Sequence, residues 1–329
     1  MVFSHYGSCF LQGLSFTQLA EIFTLHVDMS IGFIFSGQGA QAVGMGKSLY
    51  ENSAAAKQCF EQANEVLGFD LKTICFAGPE QDLTETRICQ PALYVHGIAV
   101  VEALKEAGRL PDVQAAFGLS LGELTALAFA GVYNFATGLK IVAERGRLMQ
   151  TACDATDGAM ASLIGGSVAA AQELSDACDV DIGNLNCPGQ TVLSGEREKI
   201  NVAVSKAKEK GFKMAVPLKV AGAYHSRLMQ SASDAFAEFL ADIPFAQPRM
   251  PVFANTTGQA IQAPEAIKQS LVKQVVATVR WEDCMRSGID RGIDTLYECG
   301  PGTILAGLAK RIDRSVTVTS LGEYGDLSI

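Results

Sequence analysis

A serine stands between two glycines in Gly118-Leu119-Ser120-Leu121-Gly122-Glu123, a spacing that suits a nucleophile held on a sharp turn. Residues 113–117 read as a short buried strand before it, and residues 123–130 as a helix after it that ends at Gly131. A serine forced into a strand-to-helix turn needs neighbours without side chains. Its hydroxyl then stands at a helix N-terminus beside free backbone N–H groups, and that of Leu121 can face a developing oxyanion. Alone, Gly-x-Ser-x-Gly also describes a plain turn with an N-cap serine. The flanking strand and helix favour the nucleophile.

A serine hydroxyl attacks poorly unless a base takes its proton, and the chain has four histidines. His5 and His26 lie in an N-terminal segment unlike the rest. His96 sits in the apolar helical run 92–100, where a packed histidine is the simpler reading. His225 follows the strand-like run 212–218 and precedes a helix starting near Ser226, and catalytic groups favour such strand ends and loops. Serine before histidine also suits a hydrolase-like order, although no acid between them identifies itself as a third member.

Around the elbow, strands and helices alternate as expected for an α/β fold with a mostly parallel sheet covered on both faces. The order changes between Gly158 and Leu218. There 159–164 reads as strand, 167–178 as helix, 180–185 and 191–193 as strands, 196–210 as helix and 212–218 as strand, which is a βαββαβ unit. Arg145 lies in a helical run, 138–149, with an apolar stripe. Taken by itself, an arginine there belongs to a solvated face.

The chain of 329 residues is 48% hydrophobic. It can bury a large core as one elaborated domain or two closely joined ones. Nine cysteines, odd in number and without repeated Cys-x-x-Cys spacing, point to neither a disulfide framework nor a zinc site, and so to a reducing, cytoplasmic compartment. A net charge of -9 argues against nucleic acid as a partner. Within residues 1–30, the run Phe10-Leu11-Gln12-Gly13-Leu14-Ser15-Phe16 is too short and interrupted for a membrane span or signal peptide. With Met29 just before Ser30-Ile31-Gly32-Phe33, these residues read as an extension, disordered or beginning from a start assigned too far upstream.

Seven landmarks in order give the chain a resemblance to the malonyl-CoA:acyl carrier protein transacylases, acyltransferases of fatty acid and polyketide synthesis. They are Phe35-Ser36-Gly37-Gln38-Gly39-Ala40-Gln41 with Gly44-Met45-Gly46, then Gln90-Pro91-Ala92-Leu93, the elbow, Arg145-Gly146-Arg147-Leu148-Met149-Gln150, Asn186-Cys187-Pro188-Gly189-Gln190, Gly222-Ala223-Tyr224-His225-Ser226 and Glu298-Cys299-Gly300-Pro301-Gly302. The resemblance implies Ser120 as the acylated nucleophile, His225 as its base, and the backbone carbonyl of Gln274 in place of an orienting acid. It implies the N–H groups of Gln38 and Leu121 as the oxyanion hole, and Arg145 with Gln90 as substrate-binding residues. The arginine would hold the malonyl carboxylate by a two-pronged contact.

The resemblance also implies a hydrolase-like large subdomain, residues 31–157 and 219–315, into which a ferredoxin-like small subdomain, 158–218, is inserted, with 316–329 as a C-terminal tail. The expected activity is transfer of malonyl from malonyl-CoA to the phosphopantetheine thiol of acyl carrier protein in fatty acid biosynthesis. The alternatives are a discrete acyltransferase of a polyketide pathway, a serine hydrolase and a non-catalytic carrier-binding relative. No bound cofactor, metal, nucleic acid or membrane is expected, and the chain is expected to be a monomer. Acyl carrier protein is acidic in this family, so docking would use a local basic patch drawn from Lys208, Lys210, Lys213, Lys219, Arg227, Lys310, Arg311 and Arg314. Four positions depart from the family pattern. Leu119 replaces a histidine, Ser36 a proline, Ala40 a serine and Tyr224 a phenylalanine.

Overall fold

The computed structural model describes residues 30–329, and the N-terminal extension with His5 and His26 lies outside them. Among the described residues ten strands fall into two sheets. The larger contains β1 (Ser30–Phe35), β2 (Val113–Gly118), β7 (Val252–Ala254), β8 (Gln259–Ile261), β9 (Ile293–Cys299) and β10 (Thr317–Leu321), in the order β10-β9-β1-β2-β7-β8. All neighbours pair parallel except β7 and β8. The central strands β1 and β2 are apolar on consecutive residues because both faces are covered. Phe117 stacks on Phe253 at 4.5 Å on one face, while Phe33 stacks on Phe129 of the elbow helix at 5.2 Å.

The smaller sheet contains β3 (Gly158–Ile164), β4 (Asp181–Cys187), β5 (Gln190–Glu196) and β6 (Met214–Pro217), antiparallel throughout in the order β4-β5-β3-β6. Helices Val168–Cys178 and Arg197–Lys206 bury an apolar stripe on it, with Leu163, Leu174, Leu193, Ile200 and Phe212 at the centre of that core. The two helices and four strands follow the βαββαβ order expected from the sequence. Main-chain bonds tie the smaller sheet to the larger part. Leu185 N–H donates to Val279 O at 2.9 Å and Val279 N–H to Gly183 O at 2.8 Å, a parallel bridge between β4 and the segment that follows helix Pro264–Gln274.

Two local expectations need correction. Residues 316–329 are not a tail beyond the fold. They supply β10, the edge strand paired with β9, and then a 3-10 turn at Tyr324–Leu327 that buries Leu327. The Thr317-Val318-Thr319 alternation suits an edge strand with one solvated face. The helix expected near Ser226 begins with a 3-10 turn, Arg227–Met229, before helix Gln230–Leu240, because the Ser226 hydroxyl accepts from Leu228 N–H. No helix of the described residues is long and apolar enough to cross a membrane.

Candidate active site

Ser120 sits between β2 and helix Leu121–Phe129 with φ 54° and ψ -105°, a backbone conformation that an L side chain rarely adopts. Such strain costs about 1–3 kcal/mol and persists only where surrounding contacts enforce it. The flanking glycines explain the sequence requirement. A Cβ on Gly118 would lie 1.8 Å from the Gly122 carbonyl carbon, and one on Gly122 would lie 2.1 Å from Phe35 O. Leu119 N–H donates to Phe35 O at 3.2 Å, which draws the elbow against the loop after β1 that carries Gln38.

His225 reaches Ser120 from the loop after β6. Its own φ is 57°, and Ser194 of β5 fixes the loop by donating to Tyr224 O at 2.6 Å. Ser120 Oγ lies 2.8 Å from His225 Nε2, and His225 Nδ1 lies 2.8 Å from the main-chain oxygen of Gln274. A carbonyl oxygen only accepts, so Nδ1 carries the proton and Nε2 is the free base facing the hydroxyl. Burial, followed by the nearby Arg145 cation, pushes the His225 pKa down to about 3, although the bond to Gln274 opposes the shift. The imidazole is therefore neutral and able to accept a proton.

That shift has a testable sign. A nearby cation disfavours imidazolium, so Arg145→Ala should raise the His225 midpoint. Ring-proton NMR of His225 should show a neutral ring from pH 5 to 8 in the native protein, in the range well above about 3. A midpoint near the ordinary value of about 6.5, unmoved by the Arg145 substitution, would contradict this electrostatic account.

Arg145 is 1% exposed, which overturns the solvated-face reading of its helix. Helix Phe135–Asp154 turns it inward, where one guanidinium nitrogen donates to Gln90 Oε1 at 2.8 Å. The other donates to Gln274 Oε1 at 2.8 Å and to Ser120 Oγ at 3.2 Å. Neutral amide oxygens orient the cation without cancelling its charge, and its Nε–H has no protein partner. Burial lowers its pKa to about 10, so it remains charged at neutral pH. An anion entering the cleft would meet that charge beside the serine.

The main-chain N–H groups of Gln38 and Leu121 have no acceptor among the described residues. The Gln38 side chain donates to Tyr224 Oη at 3.3 Å, linking the first loop to the histidine loop. These residues line a cleft of about 730 Å³ that also receives Met160, Asn184 and Val192 from the smaller sheet. Leu119 is half-buried and packs with the cluster containing Leu305 and Leu308, so the cleft wall beside the nucleophile is apolar where the family pattern has a histidine. His96 is remote in role. It is buried, with Nε2 3.0 Å from Gly322 O, and does not line the cleft.

Two site residues escaped the sequence reading. Asn255, just beyond β7, accepts from Ser120 N–H at 2.6 Å and donates to Gly118 O at 2.8 Å, pinning both sides of the strained turn. Glu123, in the first turn of the elbow helix, accepts from Asn255 N–H at 2.9 Å and Gln274 Nε2 at 2.7 Å. Burial pushes its carboxyl up to about 7 against those hydrogen bonds and the Arg145 charge. No local sequence signal marks Asn255, because its role depends on β7 pairing beside β2. The basic candidates are divided in their contacts: Arg227 pairs with Asp179 and Asp181 and Lys210 with Glu173, whereas Lys219 borders the cleft.

Comparison with known proteins finds relatives along nearly the whole chain. The acyl transferase domain family matches residues 32–321. A malonyl CoA-acyl carrier protein transacylase of Bacillus subtilis (strain 168) is 39% identical over 298 residues, covering 89% of this chain and 93% of that protein. The crystal structure of an acyl-carrier-protein-S-malonyltransferase from Bartonella henselae superimposes with a TM-score of 0.88 at 36% identity, covering 91% of this chain and 97% of that one. A chain in the solved complex of a type II polyketide acyl carrier protein with its malonyl-transacylase gives 0.86 at 35%, covering 91% and 97%. With the match spanning both sheets and every cleft-lining element, the chain belongs to the acyl transferase domain family.

Proposed function

We propose that this acyltransferase moves malonyl from malonyl-CoA to the phosphopantetheine thiol of acyl carrier protein, in fatty acid biosynthesis, through a malonyl ester on Ser120. The observation that carries the reading is Arg145, a buried cation held only by neutral groups and in contact with the serine hydroxyl. A general esterase has no need of such a charge, whereas a malonyl group presents a carboxylate to it.

In the proposed first step His225 Nε2 takes the Ser120 proton as Oγ attacks the thioester carbonyl. Gln38 and Leu121 N–H groups hold the oxyanion, and this kind of preorganised donor is among the largest contributions to acyl transfer. The carbon–sulfur bond then breaks, the imidazolium returns its proton to the CoA sulfur, and malonyl remains on Oγ with its carboxylate on Arg145. Gln90 Oε1 accepts from the guanidinium at 2.8 Å and so helps to hold it. In the second step the carrier thiol gives its proton to His225, its sulfur attacks the ester, and Ser120 recovers the proton as it leaves.

The division into a large part, residues 31–157 and 219–315, and a small part, 158–218, belongs to the same proposal, with the thioester lying between them. The acidic carrier would approach along the rim where Lys219 and Arg311 lie near the exposed Ile304. Action as a monomer in the cytoplasm, without a bound cofactor, completes the reading. The relative solved with a polyketide carrier favours a second assignment, the same transfer serving a polyketide pathway.

Incubation with labelled malonyl-CoA, with and without acyl carrier protein, tests the proposal. Stable label on the protein that passes to the carrier is the expected result. Release of free malonate instead would identify a hydrolase, and neither label nor malonate would identify a binding protein. Parallel assays with fatty acid and polyketide carriers separate the two pathway assignments by specificity constant.

A further inference from the structure

Glu123 has no part in the chemistry described above, yet it is 1% exposed and its carboxylate lies at the junction of the two residues that hold the site together. One oxygen, Oε2, accepts from both Gln274 Nε2 and Asn255 N–H. Gln274 serves His225 through its main-chain oxygen and Arg145 through Oε1, while Asn255 pins the strained turn at Ser120. We propose that Glu123 is a positioning residue that fixes which way the Gln274 amide faces, and thereby sets the selectivity of the Arg145 pocket for a carboxylate-bearing acyl group. The inference rests on the malonyl-transfer reading of the same site.

The physical argument concerns an amide with two unlike ends. Gln274 Nε2 donates to Glu123 and, at 3.0 Å, to Ser120 O, leaving Oε1 as the acceptor for Arg145. Rotation of the amide by half a turn would aim its NH2 group at the guanidinium, donor against donor, and its oxygen at two acceptors. With Gln274, Glu123 and Arg145 all buried, solvent does not relieve either mismatch. The stronger of the two acceptors that forbid this rotation is the carboxyl oxygen. Without it, Gln274 loses its 2.7 Å buried bond, and Arg145 loses a reliable acceptor on the side facing Ser120. The guanidinium then samples orientations that no longer present both prongs to a malonyl carboxylate. An acetyl group, having no carboxylate, is indifferent to that loss.

The experiment measures kcat and KM for malonyl and acetyl transfer in the native protein, Glu123→Ala and Glu123→Gln, with thermal unfolding followed alongside. Glu123→Ala should lower the malonyl-to-acetyl ratio of specificity constants by about tenfold, the size of the penalty for leaving one buried donor without its acceptor. Glu123→Gln retains an oxygen acceptor of the same shape and should restore the ratio. A purely structural role would lower the melting temperature of Glu123→Ala with the ratio unchanged, and that result overturns the proposal. So does a Glu123→Gln protein whose ratio falls as far as that of Glu123→Ala.

If Glu123→Ala does not fold, Gln274→Leu asks the same question, because it deletes the amide but keeps the main-chain oxygen under His225. It should lose the ratio too, and a native ratio there overturns the proposal. Failure of the malonyl-transfer reading would be visible separately, as absence of malonyl transfer by the native protein.

Discussion

Ser120→Ala is expected to abolish covalent labelling by malonyl-CoA and to lower transfer by about four to six orders of magnitude, the scale on which loss of a nucleophile acting with its base is felt. Among the described residues, the Ser120 hydroxyl is the one side chain within hydrogen-bond distance of His225 Nε2, at 2.8 Å. Intact mass should rise by one malonyl group in the native protein and not in the variant, and initial rates against both substrates should follow a ping-pong pattern. His225→Ala should slow transfer by about two to four orders of magnitude, as expected for loss of general-base assistance. His96→Ala should instead lower thermal stability, because it empties a buried position bonded to Gly322 O, and leave the transfer chemistry in place. Labelling of Ser120→Ala at the native rate would end the assignment of the nucleophile.

Arg145→Ala should lose malonyl transfer far more than acetyl transfer. Deleting one partner of a buried charge pair commonly costs about 3–5 kcal/mol, or roughly two to four orders of magnitude, and only malonyl has a carboxylate to strand. Acetyl transfer should fall as well, though by less, because the same guanidinium donates to Ser120 Oγ and anchors the Gln90 and Gln274 side chains. The ratio of specificity constants is therefore the informative quantity. Arg145→Lys keeps the charge but lacks the planar pair of donors, so it should recover part of the ratio. An unchanged ratio in Arg145→Ala would mean that the arginine only braces the cleft, and malonyl selectivity would have to come from elsewhere.

The arrangement has a simple electrostatic logic. Most serine–histidine sites orient the imidazole with a carboxylate, which also stabilises the imidazolium. Here a neutral carbonyl does the orienting, and burial together with the cation beside the serine holds the free imidazole neutral. Entry of a malonyl carboxylate would offset the Arg145 charge and make protonation of His225 easier at the moment it must accept the serine proton. Substrate charge and base strength are thus coupled through one residue.

Sequence alone determined the features whose cause is local. The elbow is legible because glycine is required on both sides of Ser120 by contacts within a few residues and with the adjoining strand, and because a strand and helix pattern flanks it. The βαββαβ order between β3 and β6 is legible for the same reason, since each element is written in its own periodicity. Choosing His225 over His96 needed only the contrast between a loop after a strand and an apolar helix.

Tertiary structure decided what depends on distant partners. The periodicity of helix Phe135–Asp154 could not say that Arg145 faces a cleft, because that requires Gln90 and Gln274 to meet it from other elements. The roles of Glu123 and Asn255, 132 residues apart, appear only when β7 pairs beside β2 and brings them into one hydrogen-bonded group. A side chain's hydrogen-bonding capacity is fixed by its chemistry, but its partner is fixed by packing. In this site Ser120 and His225, the proposed nucleophile and base, could be read from their local sequence, whereas the residues that position them are joined only through the folded core.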